Sequence, residues 1–164
     1  MLINIVKESI WEQFGASIDM LRNAIVMWPE ESWETKPKAF RMAFHTCFFI
    51  EYYLTNPPED FKPTLPTSIG DEYIKPLRHF TKQEILDYLE ACRAKLKHAV
   101  DELNEDNLDK HWYMKKWGRD FNYYELMMYN MRHVQHHAAQ LNMMLRNEID
   151  NAPDWVSRTS NAEA

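Results

Sequence analysis

The chain has 164 residues and a formal net charge of −6, and its composition is 45% hydrophobic and 27% charged. A length of this order predicts one domain whose core is large enough to fold without a disulfide or a metal. Because the balance is acidic and lysine and arginine form no clustered stripe, we expect no nucleic-acid partner.

The first half of the chain shows two helical patterns. Apolar residues recur every three or four positions over Leu2–Met27, which predicts one amphipathic helix ended by Pro29. A second helix is predicted over Ala39–Leu54, before the turn-forming Asn56–Pro58. Its predicted inward face comprises Met42, His45, Phe49 and Tyr52.

The second half shows two more helices. Thr81 and Glu84 form a capping-box pattern that opens the third helix. Its apolar stripe comprises Ile85, Leu89, Cys92, Leu96, Ala99 and Leu103. The fourth helix is predicted from an N-cap at Asn122, with Glu125 at the third position, to about Asn147. Its predicted inward stripe comprises Leu126, Tyr129, His133, His137, Gln140, Leu141 and Met144.

Four helices of this length predict an all-α fold, a four-helix bundle. The segment 55–80 contains five prolines and predicts a long crossover loop between helices two and three. His111–Phe121 predicts either a short hairpin or an aromatic flap. We predict that residues 1–150 form the single domain and that 151–164 form a polar tail, frayed from Ala152 onward.

The composition also bears on compartment and on the class of site. Cys47 and Cys92 lie in apolar periodic segments, as buried free thiols do, which favours a reducing compartment. Polar residues interrupt Met1–Phe14 where a signal peptide has its apolar core, and no apolar run approaches the about 20 residues that span a bilayer. We therefore expect a cytoplasmic protein without a membrane partner. With three glycines in the chain, a Rossmann or P-loop nucleotide site is excluded.

Three histidines stand on the predicted inward faces. His133 and His137 are four residues apart, so their imidazoles lie one turn apart on the same face and can bind one ion. His45 lies on the inward face of the second helix. Side chains from facing helices of a bundle converge, and bundle metal sites are built in this way.

Spacing alone leaves open whether these histidines bind a metal or are structural. A lone inward histidine often bonds a backbone carbonyl, whereas a buried pair without metal cannot fully satisfy its hydrogen bonds. His136 lies about 60° around the helix from His133, which places it beside the site or on the surface. The remaining histidines are predicted to be surface or loop residues: His79, His98 and His111.

Two segments carry a resemblance to a known family. Glu125–Arg146, in which residues 132–141 read RHVQHHAAQL, resembles the last core helix of the DinB/YfiT-like superfamily. The shared pattern is a histidine, three residues, a second histidine, and a glutamine three positions further on. Phe44–Thr46 resembles the earlier metal-binding helix of that superfamily, and Trp28–Pro37 resembles its approach to that helix.

The resemblance extends over nearly the whole chain in the order and length of its elements, although its specific part is three histidines and a glutamine. It implies a four-helix bundle, often a homodimer, that binds one divalent metal ion, usually zinc or nickel. The metal ligands that it implies are His45, His133 and His137.

Three neutral imidazoles would leave a divalent ion with an open position. A thiolate there makes a thiol S-transferase, and hydroxide makes a hydrolase. Members of the resembled superfamily are linked to both activities, the transferases using bacillithiol, mycothiol or glutathione. Because the inward face is rich in Tyr, Phe and Met, we predict a metal-dependent S-transferase that joins a small thiol to an electrophilic substrate.

Two alternatives to an enzyme stay open. The protein could be a metal-stabilised stress or binding protein whose aromatic segments, Phe61–Tyr73 and Trp112–Trp117, engage a partner. It could also be a dimerisation module with purely structural histidines. The candidates for a catalytic group beside the metal are Gln140, Tyr129 and Tyr52. Glu51 is placed on the far face of its helix without a role, and Cys92 is expected to be a small buried hydrophobe rather than a ligand.

Overall fold

The structure is a computed structural model that describes residues 2–70, 74–115 and 118–159. Within these ranges the helices are α1 (Leu2–Met27), α2 (Glu30–Thr35), α3 (Pro37–Tyr53), α4 (Lys82–Asp101) and α5 (Tyr123–Ile149). The strands are β1 (Thr67–Ile69), β2 (Ile74–Pro76), β3 (His111–Met114) and β4 (Arg119–Asn122). The predicted all-α bundle is confirmed, with α1, α3, α4 and α5 as its four long helices.

The predicted helix starts follow from local hydrogen bonds. The Glu84 amide donates to Thr81 Oγ1 at 3.2 Å, and the Thr81 amide donates to Glu84 Oε2 at 2.9 Å. Asn122 Oδ1 accepts a hydrogen bond from the Glu125 amide at 2.8 Å. These contacts satisfy amides that lack a partner in the first helical turn.

The short helix α2 is absent from the sequence prediction. Its six residues are too few to display a period, although its Trp33 is fully buried. The Trp33 indole donates to the Phe80 carbonyl at 3.2 Å, which ties α2 to the start of α4.

The long helices pack as a square. α1 packs against α4 and α5, and α3 packs against the same two helices, so α1 and α3 occupy opposite corners.

The helix faces predicted to point inward are rotated away from the centre of the core. His45, His133 and His137 are only partly buried, whereas Cys47 on α3 and Val134 on α5 are fully buried. Each helix contacts two neighbours, so the buried arc is centred between them and the histidines lie at its edge.

The crossover segment contains a 3₁₀ turn at Pro58–Asp60 and the antiparallel β1–β2 hairpin. Glu51 fastens it to the bundle: its carboxylate accepts from Thr64 Oγ1 at 2.6 Å, from the Thr64 amide at 3.1 Å and from Tyr88 Oη at 2.5 Å. The sequence places Glu51 on the far face without a role, and the structure gives it a structural role there. α3 contacts both α4 and α5, so its far face is also buried.

Between α4 and α5 the chain forms the antiparallel β3–β4 hairpin, the first of the two predicted alternatives. Trp112 is fully buried there, and its indole donates to the Thr55 carbonyl at 2.8 Å. A partner therefore cannot use Trp112 as a surface residue. Tyr73 and Trp117, the last residues of the two aromatic segments named from sequence, lie outside the described residues.

The described part of the tail is held against α1, so the prediction of frayed ends is wrong for it. The Thr159 amide donates to the Glu12 carbonyl at 3.1 Å, and Thr159 Oγ1 donates to Asp19 Oδ2 at 2.5 Å. A Cβ atom at Gly15 would lie 2.7 Å from Thr159 Cγ2, so glycine is what permits this close approach. Trp155, in contrast, is 71% exposed.

Candidate metal centre

The three histidines lie where α3 faces α5. His45 stands near the middle of α3, and His133 and His137 stand one turn apart on α5. The amide of buried Asn130 on α5 donates to the Ile50 carbonyl of α3 at 3.3 Å, which fixes the two helices relative to each other. The side chains that the sequence places on separate helices thus share one site.

The rings converge through one nitrogen each. His133 Nε2 lies 3.2 Å from His45 Nε2 and 3.0 Å from His137 Nε2. One ring nitrogen from each histidine lies within 4.8 Å of the others. Ligand nitrogens around a tetrahedral ion with bonds of about 2.0–2.1 Å are roughly 3.3–3.4 Å apart, so this spacing suits a first-row divalent metal.

The second ring nitrogen of His137 supports the same interpretation. His137 Nδ1 lies 2.7 Å from Gln140 Oε1, and this contact requires the proton on Nδ1 and leaves the lone pair of Nε2 for a ligand. His133 Nδ1 is buried and has no hydrogen-bond partner among the described residues. His133 Nε2 can donate to only one of its two neighbours, so the triad cannot satisfy itself by hydrogen bonds alone.

The environment keeps the three imidazoles neutral. Burial, and repulsion from His137, lower the pKa of His45 to about 4. Burial, and repulsion from the other histidines, lower the pKa of His133 to about 3. Burial also lowers the pKa of His137, although its bond to Gln140 acts in the opposite direction. Near pH 7 all three rings are in the form that binds metal ions.

A cavity of about 490 Å³ opens onto the triad. Its lining residues are His45, Phe49, Tyr53, Arg119, Tyr129 and His133. A second cavity of about 750 Å³ reaches His45 and His137 from the side of the crossover segment. The triad is therefore accessible to small molecules from two directions.

The sequence pattern of the DinB superfamily matches residues 9–141. The chain belongs to the DinB superfamily. This membership, together with the histidine triad, indicates a metal-binding helical protein. No match was found among curated proteins. Within the described ranges of this DinB protein, no helix has both the length and the apolar composition to cross a bilayer.

The candidates named from sequence fall in different places. Gln140 bonds His137, and Tyr129 lines the smaller cavity beside His133. Tyr52 lies apart, in an aromatic cluster with its ring centroid 4.9 Å from that of Phe61. Arg119 also lines the smaller cavity and is not among the candidates named from sequence. An arginine in a connecting hairpin has no periodicity, so only the tertiary structure shows its position.

The other histidines and the cysteines lie outside the triad. His136 is exposed beside His137, their ring centroids 5.1 Å apart. His111 is exposed and lies 2.7 Å from Asp120. Cys47 and Cys92 are buried free thiols, as predicted, and Cys92 Sγ donates to the Cys47 carbonyl at 3.4 Å.

Proposed function

We propose that this DinB protein is a metal-dependent thiol S-transferase that binds one zinc or nickel ion through His45, His133 and His137. The observation that carries the proposal is the convergence of three neutral imidazole nitrogens beside an open cavity. An ion held by these three residues would keep its full charge and would lower the pKa of a thiol or a water bound to it.

The protein's own residues favour an electrophilic organic substrate. Phe49 and Tyr53 are buried and present aromatic surface to the smaller cavity, and Tyr129 is half-buried there. Such walls suit an apolar electrophile better than a polar scissile bond. Gln140 orients the ring of His137, and we assign it a positioning role. Tyr129 can donate a hydrogen bond to an anion in the cavity.

A metal-dependent hydrolase is the second candidate, and one contact favours it. Arg119 Nη1 donates to the Tyr129 hydroxyl, so a guanidinium and a phenol stand together beside the triad. Paired donors of this kind stabilise an oxyanion that develops during ester or amide hydrolysis.

The Co(II)-substituted protein distinguishes these activities. For a transferase, a small cellular thiol should produce a sulfur-to-metal charge-transfer band, and the protein should then join that thiol to an electrophile. For a hydrolase, activated esters should turn over without thiol, with a rate that rises through a pKa near about 7. If the fully metallated protein is silent in both assays, the transferase is contradicted and a metal-stabilised binding protein is supported.

We also propose a homodimer in the cytoplasm, supported by family membership and by the two free thiols. Sedimentation velocity on the metal-loaded protein measures the oligomeric state, and a monomer at micromolar concentration would contradict the dimer.

A further inference from the structure

We propose that Arg119 binds an anionic group, a carboxylate, of the thiol that occupies the site. This inference rests on the proposed function, because it names the substrate class that the histidine site would accept. It is carried by the placement of one guanidinium in the cavity that also contains His45 and His133.

The β3–β4 hairpin brings Arg119 to the site. Arg119 is the first residue of β4 and pairs with Met114 of β3, next to the turn. Met114 is buried, so the residue paired with Arg119 anchors the hairpin to the bundle. Arg119 is thus carried on a structured element and faces two ligand candidates from a different part of the chain.

The guanidinium is oriented by an aromatic platform. It donates to the Tyr129 hydroxyl and lies 5.5 Å from the centroid of the Tyr129 ring. The Tyr129 ring in turn stacks on Phe121 at 5.0 Å and meets Tyr53 edge-on at 5.3 Å. A guanidinium held in this way loses little freedom when it binds a ligand.

The charge of Arg119 is uncompensated within the described part of the chain. No carboxylate of those residues lies within 4.0 Å of it, and no acidic residue lines the cavity. Of its five N–H donors, the hydrogen bond to Tyr129 uses one. A planar fork of this kind matches a carboxylate, to which it can donate two parallel hydrogen bonds.

The two arginines of the second cavity are less suited to this role. Arg78 already bonds both carboxylate oxygens of Glu84, at 2.5 and 3.1 Å, and lies over the Phe80 ring. Arg41 is exposed, as Arg119 is, but it lines the cavity on the other side of the triad. Neither shares a cavity with the Tyr129 platform.

The spacing along α5 indicates a small ligand. Tyr129 and His133 are one helical turn apart, a rise of about 5–6 Å, and Arg119 lies at the Tyr129 hydroxyl. A molecule with its sulfur at the triad and its carboxylate a few bonds away would span this interval.

The test uses thiols of equal length and different charge. Co(II)-loaded protein is titrated with 3-mercaptopropionate, 2-mercaptoethanesulfonate, 2-mercaptoethanol and cysteamine, and the charge-transfer band gives each affinity. We expect 3-mercaptopropionate to bind about tenfold more tightly than 2-mercaptoethanol, as a charge-assisted bond would provide. A stronger preference for the sulfonate would overturn the assignment to a carboxylate.

Matched variants show which arginine causes the preference for 3-mercaptopropionate over 2-mercaptoethanol. Arg119→Gln should abolish it, Arg119→Lys should keep part of it, and the control Arg146→Gln, an exposed residue near the end of α5, should retain it fully. Metal content and helical circular dichroism are measured for each variant. Loss of the preference in Arg41→Gln rather than in Arg119→Gln would place the anion in the second cavity and overturn the inference.

A second measurement needs neither thiol nor metal. Propionate is titrated into the metal-free protein, and the ¹⁵N-resolved Nε–H signal of Arg119 is followed by NMR. A shift of this signal, combined with no charge-transfer band from any thiol in the Co(II) titration, would contradict the transferase and support the Arg119 site. Equal affinities for charged and neutral thiols, with no shift, would overturn the Arg119 site and leave the transferase standing.

Discussion

His133 holds the central position in the site, because its Nε2 atom lies within 3.2 Å of the Nε2 atoms of both His45 and His137. Its pKa is lowered to about 3, below the value of about 4 for His45, and its Nδ1 atom is buried without a partner among the described residues. Its Nε2 atom can donate to only one of these two neighbours, so a metal ion bound by all three rings would stabilise the arrangement.

Removal of the α5 pair should abolish metal binding. The double variant His133→Ala/His137→Ala loses the chelate from one helix, so we expect metal content to fall from about one ion per chain to nearly none. His45→Ala should weaken binding without abolishing it. Elemental analysis of untagged protein measures both, with the exposed His136→Ala as the control. Unchanged metal content in the double variant would refute the site.

The contact between Gln140 and His137 should be measurable in metal affinity. Gln140→Leu removes the acceptor that holds the His137 ring, and we expect the affinity to fall about tenfold or more. Gln140→Glu keeps an acceptor and should retain or raise the affinity. Competition with a chromophoric chelator gives the constants, and equal values for all three proteins would show that Gln140 does not position the ring.

The stability of the metal-free protein should depend on pH through the triad. In the unfolded chain a histidine has a pKa of about 6.5, whereas His45 and His133 titrate near 4 and 3 in the folded protein. Between these values the unfolded chain binds more protons, so the free energy of unfolding falls as the pH decreases from about 6.5 toward 3.

Urea unfolding at a series of pH values measures this decrease. Carboxylates also titrate in the acidic range, so the informative quantity is the difference between wild type and His45→Ala/His133→Ala. We expect the variant to lose less stability on acidification. Parallel curves would contradict the lowered pKa values.

At the scale of elements, the crossover segment depends on a single buried carboxylate. Glu51 is 9% exposed, and it joins α3 to Thr64 of the crossover and to Tyr88 of α4. Lys95 of α4 also donates to the Glu51 carbonyl, at 3.4 Å. The crossover in turn carries Ile74, which lines the second cavity, so this contact supports one wall of the site.

Glu51→Ala should destabilise the protein by about 2–4 kcal/mol, because it leaves the Tyr88 hydroxyl and the Thr64 donors without their acceptor. Thr64→Val removes one of these hydrogen bonds and should cost about 1 kcal/mol. Chemical denaturation measures both values. A cost for Glu51→Ala no larger than that for Thr64→Val would show that the carboxylate does not hold the elements together.

At the scale of the molecule, the core is sufficient without a metal. Trp33, Trp112, Phe44 and Phe80 are all nearly or fully buried, and one continuous apolar cluster joins the helices. The histidines lie at the edge of this cluster rather than within it. The metal should therefore stabilise the fold but not be required for it.

Chelation should lower the Tm and leave the helical circular dichroism largely intact. Metal that binds the folded state contributes its binding free energy to stability, whereas the apolar core persists after its removal. Thermal scans with and without EDTA provide the comparison. Collapse of the helical signal in EDTA would mean that the metal is structural.

The sequence by itself determined the four long helices and the candidate ligands. The period of Leu2–Met27, the capping box at Thr81 and the Asn122 cap depend on residues within one or two turns, and local hydrogen bonds and periodicity are sufficient to specify them. The four-residue spacing of His133 and His137 places both rings on one face of any helix. These features can be read without knowledge of the neighbours of each helix.

Only the tertiary structure decided which groups meet. His45 is 88 residues from His133 in sequence, and its contact depends on how α3 packs against α5. The burial of Glu51 arises because α3 has neighbours on both sides, which a single helical face does not reveal. Arg119 reaches the cavity through the hairpin, whose docking is set by Met114 and the aromatic cluster around Tyr129. Contacts between distant segments depend on packing of the whole core, and that information is not contained in any local pattern.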